Sequence, residues 1–128
     1  MIPQAVEEFI RVFPPIVGLG RTCMKDAEIA GTPIKQGDFV MVVYSAASRD
    51  PRVVENPARV DITRKSIVHS TFGVGPHRCV GSNLARIQLK ATLEEWLKRI
   101  PEFSVKPGTS PVYSTAFMRS MHKLELVF

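Results

Sequence analysis

The stretch Phe72-Gly73-Val74-Gly75-Pro76-His77-Arg78-Cys79-Val80-Gly81 constrains this chain more than any other. It sets one cysteine in a glycine-rich loop at the start of a long helical pattern. Glycine reaches positive φ without steric cost, so Gly73 and Gly75 let the backbone turn tightly ahead of Cys79. A thiolate at that place can ligate a metal, its charge stabilised by backbone amides and by the dipole of the following helix. Six residues at these spacings (Phe72, Gly73, Gly75, His77, Cys79, Gly81) coincide by chance on the order of once in 10⁸ to 10⁹ start positions. Two other readings stay open at this point. One is a structural cysteine beside a helix cap, with His77 on the surface. The other is a zinc site built from Cys79, His77, Cys23 and His69, although the paired CxxC or HxxxH spacings of such sites are missing.

The chain has 128 residues, one domain's worth or less, and 45% of them are apolar, which suits a packed core rather than disorder. Seventeen Lys and Arg against 12 Asp and Glu leave a net charge of +5. No basic run or aromatic interleaving accompanies that excess, so nucleic acid is not an expected partner. The two cysteines make no disulfide framework, and the plain expectation is a reducing, cytoplasmic setting. The longest strongly apolar run, Phe39 to Tyr44, is too short to span a bilayer, so no membrane is expected either.

Along the chain, residues 3–13 read as a helix. Pro3 suits a first helical position, and Ile2, Val6, Phe9, Ile10 and Phe13 form an apolar stripe that Pro14-Pro15 ends. Residues 22–44 read as short strands broken at Gly31 and Gly37-Asp38, with Phe39 to Tyr44 as a buried strand. Residues 45–71 form an irregular meander with turns at Asp50-Pro51 and Asn56-Pro57. After the cysteine loop (72–81), residues 80–100 give the strongest helix. Its apolar face is broad enough (Val80, Leu84, Ile87, Leu89, Ala91, Leu93, Trp96, Leu97, Ile100) to predict burial on more than one side. Short strands follow over 103–128.

The cysteine loop resembles the haem-binding loop of the cytochrome P-450 monooxygenases. The order of the other segments resembles that family too. Glu8-Phe9-Ile10-Arg11 is an ExxR helix, followed by short strands, a meander, the cysteine loop and a long helix. Taken alone, ExxR is an ordinary ion pair on one helix face worth about 0.2–0.5 kcal/mol. The resemblance instead implies a buried pair joined by a meander arginine, for which Asn56-Pro57-Ala58-Arg59-Val60 nominates Arg59.

The resemblance covers essentially the whole chain and is strongest to the soluble bacterial members. It implies an α+β fold, mainly α with small sheets. This would be the C-terminal haem-binding part of the family's fold, and incomplete. It implies haem b, with Cys79 as axial ligand, Phe72 covering the ligand from water, and Gly73, Gly75 and Gly81 letting a flat cofactor approach. His77 and Arg21, the latter just ahead of the first strand, become candidates for the cofactor's acidic groups. Arg78, Arg86 and Lys90 become a basic surface for a ferredoxin-type electron donor. The segment Ser114 to Met118 resembles a hairpin tip that reaches the substrate cavity in relatives, an ordinary turn being the alternative.

No residue can be assigned to the oxygen-activating side of the haem. The expected activity is therefore that of a monooxygenase acting on a small hydrophobic molecule, with this chain supplying the proximal half of the site. A truncated, non-catalytic haem-binding or structural remnant is the alternative. The isolated chain is expected to be marginal and inactive, its helices lacking apolar partners.

Overall fold

Helix α1 (Ile2–Val12) forms where the apolar stripe and Pro3 predict it, and Phe13 ends it as its amide donates to Phe9 O at 2.8 Å. In the computed structural model, which describes residues 1–115 and 117–128 (backbone only at Thr115), this helix is the centre of the molecule. Ala5, Val6, Ile10 and Val12 are buried, but so are Glu8 and Arg11. The predicted stripe is thus only part of the buried surface. Phe9 and Phe13, on the same stripe, are exposed.

Glu8 and Arg11 form the core's polar heart, and both are fully buried. Arg11 donates Nε to Glu8 Oε2 at 2.8 Å and Nη2 to Oε1 at 2.7 Å. Its remaining bonds go to the carbonyls of Ser48 (3.1 Å), Pro57 (2.9 Å) and Arg59 (3.1 Å), so all five guanidinium donors are used. Glu8 Oε1 also accepts the Asp61 amide at 2.9 Å and Arg64 Nε at 3.1 Å. The third arginine of the network is therefore Arg64, not Arg59. Arg59 is exposed and contributes its carbonyl, while Arg64 also donates to the carbonyls of Glu55, Asn56 and Arg59. Asn56, with φ at 46°, makes the left-handed turn in the stretch that supplies these oxygens. Arg49 adds a further tie, donating to Val12 O at the end of α1 at 2.6 Å.

The described residues form four two-stranded antiparallel sheets. β1 (Leu19–Thr22) pairs with β4 (Phe39–Val42), and β2 (Ala27–Ile29) with β3 (Thr32–Ile34) through a turn in which Ala30 and Gly31 both have positive φ. Arg21 lies inside β1, opposite Val40, rather than ahead of the first strand. β4 is not the buried strand its composition predicts, for Phe39 is 76% exposed and Met41 and Val42 are exposed as well. A two-stranded ribbon has no second layer against which to bury such side chains. Tyr44 opens a short helix, α2 (Tyr44–Ala47), and the meander runs from there to Thr71. β5 (Ser104–Val105) pairs with β8 (Leu126–Val127), and β6 (Val112–Thr115) with β7 (Arg119–Lys123).

Helix α3 (Ser82–Arg99) packs on α1, and its far end meets an aromatic cluster in which Trp96 lies edge-on to Phe103 at 5.7 Å. Its broad apolar face is not buried on more than one side. Ser82 is its one buried residue, and Leu84, Ile87, Leu89 and Leu97 are exposed, Ile87 by 65%. One neighbouring helix covers one side of a cylinder, so the rest of the apolar surface faces outward. No helix among the described residues is long and apolar enough to cross a membrane.

The buried network generates two predictions. Burial pushes the Glu8 carboxyl up, but the Arg11 fork, the Asp61 amide and Arg64 outweigh it and hold Glu8 at about 2, below its ordinary 4.5. A depressed carboxylate stabilises the fold fully above its ordinary value, and that stability is lost as pH falls through the folded value. Glu8→Gln is expected to cost about 3–5 kcal/mol near neutrality, because it leaves a buried guanidinium without its anion. In denaturant titrations the gap to wild type narrows between pH 4.5 and about 2. A gap independent of pH would contradict the assignment. Arg64→Met is expected to cost about 1–3 kcal/mol in the same assay, because the buried Glu8 carboxylate loses a charged donor. Arg59→Met stays within about 0.5 kcal/mol of wild type, as exposed substitutions do.

Candidate functional site

The cysteine loop leaves the core at Thr71. That residue is buried, its hydroxyl donating to Ile10 O at 2.8 Å, and Ser48 Oγ accepts the neighbouring Ser70 amide at 3.1 Å. From this base the chain makes the turn that the glycines foretell. Gly73 and Gly75 both have φ of 70°, a region that a Cβ disfavours. A 3-10 turn over Gly75–His77 follows, with Arg78 N donating to Gly75 O at 3.0 Å. The loop then closes on itself, Cys79 N donating to Phe72 O at 2.8 Å. Ser82 N donates to Cys79 O at 3.2 Å, which joins the cysteine to the first turn of α3.

Cys79 is a free, exposed cysteine, and Val80 beside it is fully exposed. A Cβ built on Gly81 would meet only the Cys79 sulfur, at 3.8 Å, so the approach to the thiol past the helix start is clear of other protein atoms. Among the described residues no three His, Cys, Asp or Glu side chains gather as metal ligands. This removes the zinc alternative. Cys23 instead donates its thiol to Lys25 O at 2.9 Å, and His69 is held by Glu7. A lone accessible sulfur fits a metal whose other ligands come from a macrocycle, as in a haem with an axial thiolate. Cys79 would hold the iron, and the exposed Val80 beside it suits a flat hydrophobic group.

The two side chains nominated for acidic groups are exposed. Arg21 Nη1 reaches only the carbonyl of Gly20, at 2.8 Å, and no carboxylate pairs with it among the described residues. His77 sits in the 3-10 turn two residues before Cys79. Arg78 and Lys90 are exposed, Lys90 with only a loose 3.8 Å approach to Glu94.

Arg86 is different, because it is not a free surface cation. Its Nε donates to Glu7 Oε1 at 2.5 Å and its Nη2 to Oε2 at 3.0 Å. Its Nη1 reaches Ser82 O at 3.2 Å, and the guanidinium lies 4.8 Å from the centre of the Phe72 ring. His69 Nδ1 accepts the Thr71 amide at 3.3 Å, which leaves Nε2 to donate to Glu7 Oε2 at 3.1 Å. The His69 ring also meets Phe72 edge-on at 5.9 Å. Arg86 is the main cause that holds the Glu7 carboxyl below the usual range; burial opposes it and His69 adds to it. Glu7, His69 and Arg64 escape a reading of the sequence because their partners lie 56 to 79 residues away. One available signal is helical spacing, which puts Glu7 three residues before Ile10, on the side of α1 next to the loop base. The suggested hairpin tip at Ser114 to Met118 includes Ala116, which lies outside the described residues. Met118 itself bridges to Ile16.

A family model described as Cytochrome P450 matches residues 1–126. The chain is 42% identical over 108 residues to a protein named probable cytochrome P450 127A1 from Sinorhizobium fredii, a match covering 84% of this chain and 26% of that protein. It is 34% identical over 127 residues to linalool 8-monooxygenase from Pseudomonas putida, covering 99% and 31% respectively. The crystal structure of P450BioI in complex with an acyl carrier protein ligated to hexadec-9Z-enoic acid superposes with a TM-score of 0.93 at 34% identity, covering 99% of this chain and 33% of that one. The chain thus spans between a quarter and a third of the length of these relatives. By the match of the family model to nearly the whole chain and the identity to these relatives, the chain belongs to the cytochrome P450 family.

Proposed function

We propose that this chain carries the thiolate side of the haem site in a monooxygenase that inserts one atom of O₂ into a small hydrophobic organic substrate. The observation that carries the reading is the exposed Cys79 thiol at the end of a glycine turn, with no competing ligand cluster among the described residues. The bound group, iron protoporphyrin IX (haem b), would supply oxygen activation, and Cys79 would hold its iron. The chain's own residues do the rest on this side. Cys79 would ligate, Phe72 would help cover the bound sulfur from water, and Gly81 would keep the approach open. Arg21 and His77 meet the acidic groups at the cofactor's edge. Glu8, Arg11 and Arg64 hold the meander against the helix from which the loop departs. The oxygen-activating side lies outside these residues. The unpaired cysteines suit a cytoplasmic setting.

The test is the absorption spectrum of the reduced, CO-bound protein after haem addition, compared with Cys79→Ala. A red-shifted Soret band that disappears in Cys79→Ala is expected. A histidine-type spectrum, or a thiolate-type band that survives the substitution, would defeat the assignment.

Electrons would arrive from an acidic ferredoxin-type donor at the surface of Arg78 and Lys90. Arg86 is withdrawn from that surface because Glu7 already neutralises it. With haem bound, the rate of reduction by such a donor is expected to fall as ionic strength rises, and to fall again in Lys90→Glu. Rates that ignore both changes would remove this docking surface.

A further inference from the structure

The backbone hydrogen bonds of the loop between Phe72 and Cys79 are almost all local. Gly73 N reaches Ser70 O, Arg78 N reaches Gly75 O, and Cys79 N reaches Phe72 O. A loop closed on itself in this way keeps its shape but is not thereby tied to the body of the protein. Its ties sit at its two ends. At one end Thr71 anchors to α1; at the other, Cys79 O enters the first turn of α3.

Between them stands Phe72. Its carbonyl receives the Cys79 amide, so any displacement of Phe72 is passed directly to the ligand's backbone. The Phe72 ring is gripped from two directions, by the Arg86 guanidinium at 4.8 Å and by the edge-on His69 ring at 5.9 Å. Both of those side chains converge on one carboxylate, Glu7. Arg86 sits on α3, Glu7 on α1, and His69 at the entry to the loop, so one carboxylate joins the three segments. A half-buried, bidentate pair has the directional geometry to hold a ring in place, which a solvated cation lacks.

We propose that Glu7, Arg86 and His69 form a positioning clamp on Phe72 that holds the Cys79 loop in the shape from which the thiolate would take the iron; the role rests on the haem-thiolate reading above. They act through the Phe72 ring and its carbonyl.

The experiment has one arm without haem and one with it. Without haem, amide hydrogen exchange is followed in the whole chain for wild type, Arg86→Met, Arg86→Lys, Glu7→Gln and Arg99→Met, the last an exposed cation at the far end of the same helix. Arg86→Met and Glu7→Gln are expected to speed exchange at Cys79 by about tenfold while Ile10 and Val12 keep their wild-type rates, the signature of a local opening. Arg86→Lys, which keeps the charge and loses the fork, falls between, and Arg99→Met matches wild type. Unchanged Cys79 exchange overturns the clamp. So does acceleration shared equally by Cys79 and Ile10, which would mark general destabilisation. Should Arg86→Met not fold, Arg86→Lys against wild type decides by the same criterion.

With haem and CO, the same variants are expected to lose part of the red-shifted Soret band in favour of the band of a weakened thiol ligand, Arg86→Lys recovering some of it. Identical band proportions in all variants overturn the clamp as well. The two ideas fail separately. A wild type without a thiolate-type band ends the haem reading while the exchange arm still decides the clamp. A wild type with that band and unchanged Cys79 exchange ends the clamp alone.

Discussion

The buried pair of Glu8 and Arg11 is the constraint around which the rest of this molecule is arranged. Two charges placed in a core are tolerated only when every donor and acceptor is met. Arg11 meets that condition by drawing in the carbonyls of Ser48, Pro57 and Arg59, and Glu8 by drawing in the Asp61 amide and Arg64. The meander has little regular structure of its own. It is ordered because its backbone supplies the hydrogen bonds that the helix cannot. An irregular chain is thereby given one shape, and the shape ends at Ser70 and Thr71, where the cysteine loop begins.

From that base the site is assembled in stages of decreasing burial. Thr71 is buried, Phe72 is half-buried, and Cys79 is exposed. This gradient suits a group that must be anchored from one side and reached from the other. The same logic runs through the apolar surface. Phe39, Val80, Leu84 and Ile87 face outward although their chemistry favours burial. The chain spans a quarter to a third of the length of these relatives, and its exposed apolar side chains are of the kind that mark an interaction surface.

Arg86 illustrates how tertiary context changes a residue's meaning. Beside Arg78 and Lys90 in the sequence, it reads as one of three cations near the thiol. In the fold it is the only one of the three committed to a bidentate carboxylate partner, because α1 and α3 pack together and bring Glu7 within reach. The same holds for the choice between Arg59 and Arg64. Both lie in the meander, five residues apart, and the turn at Asn56 with the Asp61 amide determines which guanidinium faces Glu8.

The sequence by itself determined the elements whose information is local. The helix over Ile2–Val12 follows from Pro3, the apolar stripe and the Pro14-Pro15 stop. The turn ahead of Cys79 follows from Gly73 and Gly75, which alone accept φ of 70° cheaply. The helix over Ser82–Arg99 follows from a run free of Gly and Pro that Pro101 ends, and the family from the spacing of Glu8, Arg11 and the cysteine loop. Tertiary structure decided everything that depends on a partner far along the chain. It decided that Phe39 is exposed in a two-stranded ribbon, that α3 is covered on one side only, that Arg64 and not Arg59 closes the network, and that Glu7 and His69 belong to the neighbourhood of the thiol. The physical reason is the same in each case. Propensity and periodicity act over a few residues, whereas burial and ion pairing depend on which surfaces the folded chain brings into contact.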